Sequence, residues 1–442
     1  MDTLSPSAHF TGMTDSTTLD PVFAREPARL VDASDGIARG SRDYRNASVA
    51  LFLAGFSTFS LLYCVQPLLP EFARDFAISA ATSSMALSVT TGALALAIFV
   101  AGALSHSVER RGLMLASMLL SAMCNLAAAL SPSWTMLLIA RMLAGLALGG
   151  VPAVAMAYLA EEIRPSDLGK AVGLYVAGTA FGGMAGRVGM GALTEFTTWR
   201  MALGVMSVLG LASAAGFALL LPPSRRFVAR RGATLSDHAR IWAGHLANPV
   251  LRRLFAIGFL LTSVYVATFN YIAFRLVAAP YGFGPAALSG IYMVTLFGIT
   301  ASTLSGAAAD RFGRYGPLLV GLLLMAGGIA TTLATPIVWV IVGVAAVNAG
   351  FFVAHTVVSG WVGQASGFHK GHGASLYLLF YYVGSSVSGP VAGWFWHGGG
   401  WSGVAAMMAI ACVSAIILAV LVNRHVRRGC KASGAAVALG VP

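Results

Sequence analysis

The stretch Gly306-Ala-Ala-Ala-Asp310-Arg311-Phe-Gly313-Arg314-Tyr-Gly316 is a short charged turn between two apolar runs, each long enough to cross a bilayer. Asp310, Arg311 and Arg314 cannot lie in hydrocarbon, so the chain must surface here. Gly306 and Gly313 are expected to let the flanking helices approach and the backbone reverse. A degraded copy stands 204 residues upstream: Gly102-Ala-Leu-Ser-His106-Ser-Val-Glu109-Arg110-Arg111-Gly112. There His106 takes the place of the Asp and Glu109 that of the Gly.

Composition sets the class. Hydrophobic residues make up 57% of the chain and charged ones only 10%, far from the usage of soluble globular proteins. The apolar runs are continuous, not alternating strands of about 10 residues, which excludes an outer-membrane barrel. An all-α, multi-pass membrane protein is expected. The net charge of +12 does not signal nucleic acid, because the basic residues gather in loops on one side. Cys64, Cys124 and Cys412 fall within apolar runs and Cys430 in the tail, so no disulfide framework is implied.

Residues 1–46 are polar and without periodicity, and are expected to be a disordered tail and not a signal peptide. Twelve candidate spans follow, at about 47–70, 82–104, 113–131, 134–158, 169–193, 200–221, 252–275, 286–308, 316–334, 337–361, 374–396 and 403–422. The polar linker 222–249 divides them six and six, into bundles at 47–221 and 250–422, and a short tail runs over 423–442. Of the 28 Lys and Arg, 23 lie in the tails, the linker and the loops on the same side as it, against Arg74, Arg200 and Arg275 opposite. Both termini are therefore expected in the cytoplasm.

The halves echo each other. Gly102 maps to Gly306, Gly150 to Gly350, Gly182 to Gly384 and Trp199 to Trp401, at offsets between 200 and 204.

The Gly306–Gly316 ladder resembles the loop signature of the major facilitator superfamily, which lies between the second and third helix of each half. Arg141-Met-Leu-Ala-Gly145-Leu-Ala-Leu-Gly149-Gly150 resembles that family's signature on the fourth helix. Gly178, Gly182, Gly183 and Gly186 with Arg187 resemble the fifth-helix motif of drug/proton antiporters, although Gly183 replaces the expected Pro and Arg187 the expected Gly. Leu62-Tyr63-Cys-Val-Gln66-Pro67, Tyr158-Leu-Ala-Glu161-Glu162-Ile163, Gly182–Arg187, Ser375-Leu-Tyr377 and Tyr381-Tyr-Val-Gly384-Ser-Ser386 are similar to the YnfM-type inner-membrane transport proteins, relatives of arabinose-efflux-like and drug-efflux permeases. The resemblance covers about residues 47–425. It implies two six-helix bundles related by a pseudo-two-fold axis along the membrane normal, with the solute site between them near the midplane. It also implies a bacterial inner-membrane exporter working by alternating access against protons, as a monomer in the bilayer. The competing class is a transporter-shaped sensor that binds a solute without moving it.

Within the spans, Arg141 is expected to be a cavity charge that meets solute or tunes a proton carrier, or else a structural arginine at helix ends. Arg187, near the outer end of its span, is a gate candidate or a snorkelling side chain. The glycines before it are explained by close helix packing alone. His355 is the one histidine deep in an apolar run, and suits a proton relay. Tyr63, Gln66, Tyr265, Asn270, Tyr271, Asn348, Tyr377 and Tyr381 occupy expected cavity positions; Asp310, Arg311 and Arg314, with Gly306 and Gly313, form an expected latch on the cytoplasmic side. No Asp or Glu falls in the middle of a span. The embedded charges are thus positive, which favours neutral polar or anionic solutes over lipophilic cations, with Arg141 as the expected anchor.

No enzyme, cofactor or metal site is expected. His397-Gly-Gly-Gly400 lacks a Gly-x-Ser-x-Gly partner, Gly398–Gly403 lacks the strand that a dinucleotide motif needs, and His369 with His372 are too few for a metal.

Overall fold

The computed structural model describes residues 36–104, 109–226 and 234–438. Residues 105–108 of the degraded copy, His106 among them, lie outside the described residues. The first half runs through α1 (Arg42–Tyr63), α2 (Leu69–Asp75), α3 (Ala80–Leu104), α4 (Arg110–Ala129), α5 (Trp134–Leu148), α6 (Gly150–Glu162), α7 (Leu168–Thr194) and α8 (Trp199–Leu220). After α9 (Leu235–Ala247), the second half comprises α10 (Pro249–Val277), α11 (Pro285–Gly290), α12 (Thr295–Phe312), α13 (Tyr315–Thr331), α14 (Ile337–Ala365) and α15 (Lys370–Ala438). Nine helices among the described residues are long and apolar enough to cross a membrane.

The polar turns start the helices. Ser41, Ser133 and Thr198 accept a hydrogen bond from the backbone N–H three residues on, and Glu109 accepts from Arg111 N and Gly112 N. Each satisfies donors that a helix start leaves without partners. Gly313 ends α12 at φ 77°, the left-handed conformation that the charged turn needs, whereas Gly306 faces open space and brings no helix closer. The glycine string near His397 is a bend: Gly399 and Gly400 break α15 into two helices, so the letters that mimic enzyme motifs serve a turn.

Three boundaries differ from expectation. α1 begins at Arg42, and Ile37 bridges to Ile163, so the ordered chain reaches back into the expected disordered tail. The linker carries α9, opened by a capping box between Thr234 and Asp237, and its polar composition hid that helix. At the other end α15 continues through the expected tail to Ala438.

Within the first half α1 packs on α7 and α8, and α4 on α5; in the second half α10 packs on α15, and α13 on α14. The repeat is visible in atoms. A Cβ on Gly182 would lie 2.3 Å from Phe56 O of α1, and one on Gly384 would lie 2.4 Å from Phe259 O of α10. Gly178 and Gly186 seat α7 on α1 in the same way, which bears out the packing explanation of that stripe. The halves meet where α3 packs on α15 and α7 on α11. We call the end that carries α2 and α11 distal, and the opposite end, with α9 and the starts of α1 and α15, terminal.

Candidate functional site

α1 stops at Tyr63 because Pro67 interrupts the run, and the turn that follows leaves Gln66 fully buried between the halves. Gln66 Nε2 donates to Asn270 Oδ1 of α10 at 2.8 Å, and Gln66 Oε1 accepts from Arg187 Nε at 2.5 Å. Arg187 Nη1 donates to Gly183 O at 2.8 Å, and its guanidinium lies 4.0 Å from the centre of the Tyr63 ring. Phe269 and Tyr292, at 5.8 and 5.6 Å, complete a box of rings around the charge. Tyr63 and Arg187 come from the first half, Phe269 and Tyr292 from the second. Of the candidates read from the sequence, the structure brings Tyr63, Gln66, Asn270 and Arg187 together.

Toward the terminal end a second aromatic group continues from the box. Tyr265 stacks on Phe351 at 4.3 Å, Phe351 stacks on His355 at 5.6 Å, and His355 lies 5.0 Å from Tyr381. Tyr377 Oη and His355 Nδ1 share a hydrogen bond of 2.8 Å. His355 and Tyr381 are half-buried, so this row is the open side of the site.

Arg141 does not join it. Its side chain is 0% exposed and donates to Leu61 O, Leu62 O, Asn125 Oδ1 and Ala86 O at 3.0, 2.9, 3.1 and 3.3 Å. All four acceptors lie in the first half, two of them at the broken end of α1, where carbonyls lack helical partners. Of the two readings open in the sequence, the geometry fits the structural arginine. Tyr271 also stands apart, donating to Gly389 O at 2.7 Å, while Asn348 Nδ2 donates to Val294 O at 2.9 Å.

The charged turn sits at the terminal end. Asp310 is exposed and makes no hydrogen bond among the described residues, and Arg311 lies against the Phe312 ring at 5.2 Å. Partial burial lowers the Arg314 pKa, against the opposing pull of the Asp310 charge. Among the described residues, hydrogen bonds that join the halves include Gln66 to Asn270, Ser386 Oγ to Ser88 O at 2.7 Å, and Ala286 N to Glu195 Oε2 at 3.0 Å. These lie between the middle and the distal end. A separate recess of about 430 Å³, lined by Phe283, Met293, Phe297 and Ile341 among others, belongs to the outer face and touches none of this cluster.

Sequence reasoning missed Asn125, Phe269, Tyr292 and the histidines of α9. Asn125 carried a usable signal, as a lone amide deep in an apolar span; aromatic residues in apolar runs carried none.

The Major Facilitator Superfamily model matches residues 51–387. The chain is 41% identical over 391 residues to the uncharacterized MFS-type transporter YybF of Bacillus subtilis, covering 88% of this chain and 96% of that protein. It is 38% identical over 417 residues to the inner membrane transport protein YnfM of Escherichia coli, covering 93% and 99%. Among solved structures it matches the nucleoside transporter NupG with a TM-score of 0.72 at 13% identity, over 86% of this chain and 99% of that one. A bacterial homologue of the human lysosomal transporter Spinster, in an inward-facing and unoccupied conformation, matches with a TM-score of 0.67 at 15% identity, over 87% and 96%. The paired halves, the repeat and these matches agree: the chain belongs to the Major Facilitator Superfamily of membrane transporters.

Proposed function

We propose that the protein is a secondary active transporter that crosses the bacterial inner membrane twelve times, with both termini in the cytoplasm, and exports a small solute in exchange for protons by alternating access. The twelve crossings count α1 with α2, α5 with α6, and α11 with α12, as single spans, divide α15 at its bend, and leave α9 in the linker. The observation that carries the reading is the Gln66–Asn270 bond with Arg187 against it: the halves hold each other at the core and distally, while Asp310 at the terminal end makes no hydrogen bond among the described residues. Under the positive-inside orientation this is a state closed to the outside and open to the cytoplasm. His355, hydrogen-bonded to Tyr377 on the open side, is the candidate proton carrier.

Solute counterflow in proteoliposomes tests it. Exchange of labelled solute across the membrane, accelerated by the protein, supports transport; saturable binding without any exchange supports the sensor reading instead.

A further inference from the structure

We propose that Arg187 is the seat of a carboxylate and that the solute is a small organic monoanion with an apolar or aromatic body. The proposal deepens the transport reading and relies on it for passage, though not for binding.

The two buried arginines show why. Arg141 has oxygen acceptors on Nε, Nη1 and Nη2. Arg187, 2% exposed, donates from Nε and Nη1 only, and its Nη2 has no acceptor. No carboxylate pairs with it among the described residues. A buried guanidinium with an unused donor and no counter-charge is costly in lost hydration, which the Tyr63 ring offsets only in part. A carboxylate placed on Nη2 and the remaining Nη1 hydrogen would supply both the acceptor and the charge, in the forked geometry that guanidinium favours.

The surroundings narrow the class. One positive charge balances one negative charge, and Arg141, occupied by four oxygens elsewhere, offers nothing to a dianion. Tyr63, Phe269 and Tyr292 present ring surface and no second charge, so the rest of the solute should be apolar. The Phe59 ring lies 6.2 Å from that of Tyr63 and is half-buried, as are His355 and Tyr381, which gives an aromatic approach from the terminal end. Because the box takes residues from both halves, an anion bound there touches both, as a solute carried by alternating access must. A cation would meet repulsion, and a neutral amide would leave the charge uncompensated.

The test uses the full-length protein in detergent and matched triplets: benzoate, benzamide and benzylamine, then butyrate, butyramide and butylamine. Thermal unfolding is followed for each. The carboxylates should raise Tm while the amides and amines do not; Arg187→Gln should abolish the carboxylate shift and Arg187→Lys keep part of it. The proposal is overturned if an amine or amide stabilises as well as its carboxylate, if no member stabilises, or if the carboxylate shift survives Arg187→Gln. Should Arg187→Gln fail to fold, the triplets on the unaltered protein decide alone. Counterflow of labelled benzoate separates the two claims. Benzoate binding without exchange defeats transport and leaves the anion seat; exchange of benzylamine without benzoate binding defeats the seat and leaves transport.

Discussion

Gln66 and Asn270 are joined by a 2.8 Å hydrogen bond and stand 204 positions apart, the same offset that relates Gly102 to Gly306. The bond ties the break after α1 to the middle of α10 across the two halves, and Arg187 lies against it.

This bond should couple the halves measurably. Gln66→Leu or Asn270→Leu strands a buried amide and should cost about 1–3 kcal/mol in an unfolding measurement. The double variant should lose less than the sum, by about 0.5–3 kcal/mol. Strict additivity would mean that the two side chains do not interact.

Arg141 should behave as a structural residue. Arg141→Ala strands the Leu61 and Leu62 carbonyls and should lower folded yield and Tm; Arg141→Lys should not rescue it, because an ammonium lacks the fork that reaches four oxygens. Normal Tm with selective loss of solute binding would restore Arg141 to the cavity.

That outcome also bounds what the sequence could say. Helix positions, the duplicated halves and the Gly182–Gly384 seats were legible, because hydropathy and small residues at close helix contacts leave a pattern in one dimension. Which arginine meets solute was not, because it depends on whether the carbonyls of the α1 break point toward Arg141 or Arg187. α9 was hidden for a different reason: its apolar face, Trp242 against Phe99 at 4.2 Å, is short and set among arginines.

The α9 histidines should make the linker sensitive to pH. His238 Nδ1 and His372 Nε2 share a 2.8 Å hydrogen bond, and His245 Nε2 lies 3.3 Å from His369 O, with Asp237, Arg240 and Lys370 the nearest charges in sequence. Burial lowers the His245 pKa below 6.5. Above that value the imidazole is neutral whether docked or released, so docking is unaffected; below it the released form takes up the proton first, and docking weakens as pH falls. Hydrogen exchange in residues 235–247 should therefore quicken between about pH 7 and 5.5, and His245→Asn should blunt the change. Constant protection over that range would contradict the assignment.

If His355 carries the proton, His355→Gln should retain solute counterflow and lose acceleration by a pH gradient, while Tyr377→Phe, which removes its hydrogen-bond partner, should shift the pH profile. An unchanged gradient dependence in His355→Gln would reduce the residue to packing against Phe351 and Tyr381.

Alternating access is the central claim, and the distal contact between Glu195 and Ala286 offers the direct test. Both are exposed, Glu195 just past the end of α7 and Ala286 on α11, and Ala286 N donates to Glu195 Oε2 at 3.0 Å. Glu195→Cys and Ala286→Cys, joined by a short thiol-reactive cross-linker in proteoliposomes, would hold the distal end shut. Counterflow should fall about tenfold or more on cross-linking and return when the link is reduced, as expected if the distal end must open in each cycle. Full transport by completely cross-linked protein would contradict the account.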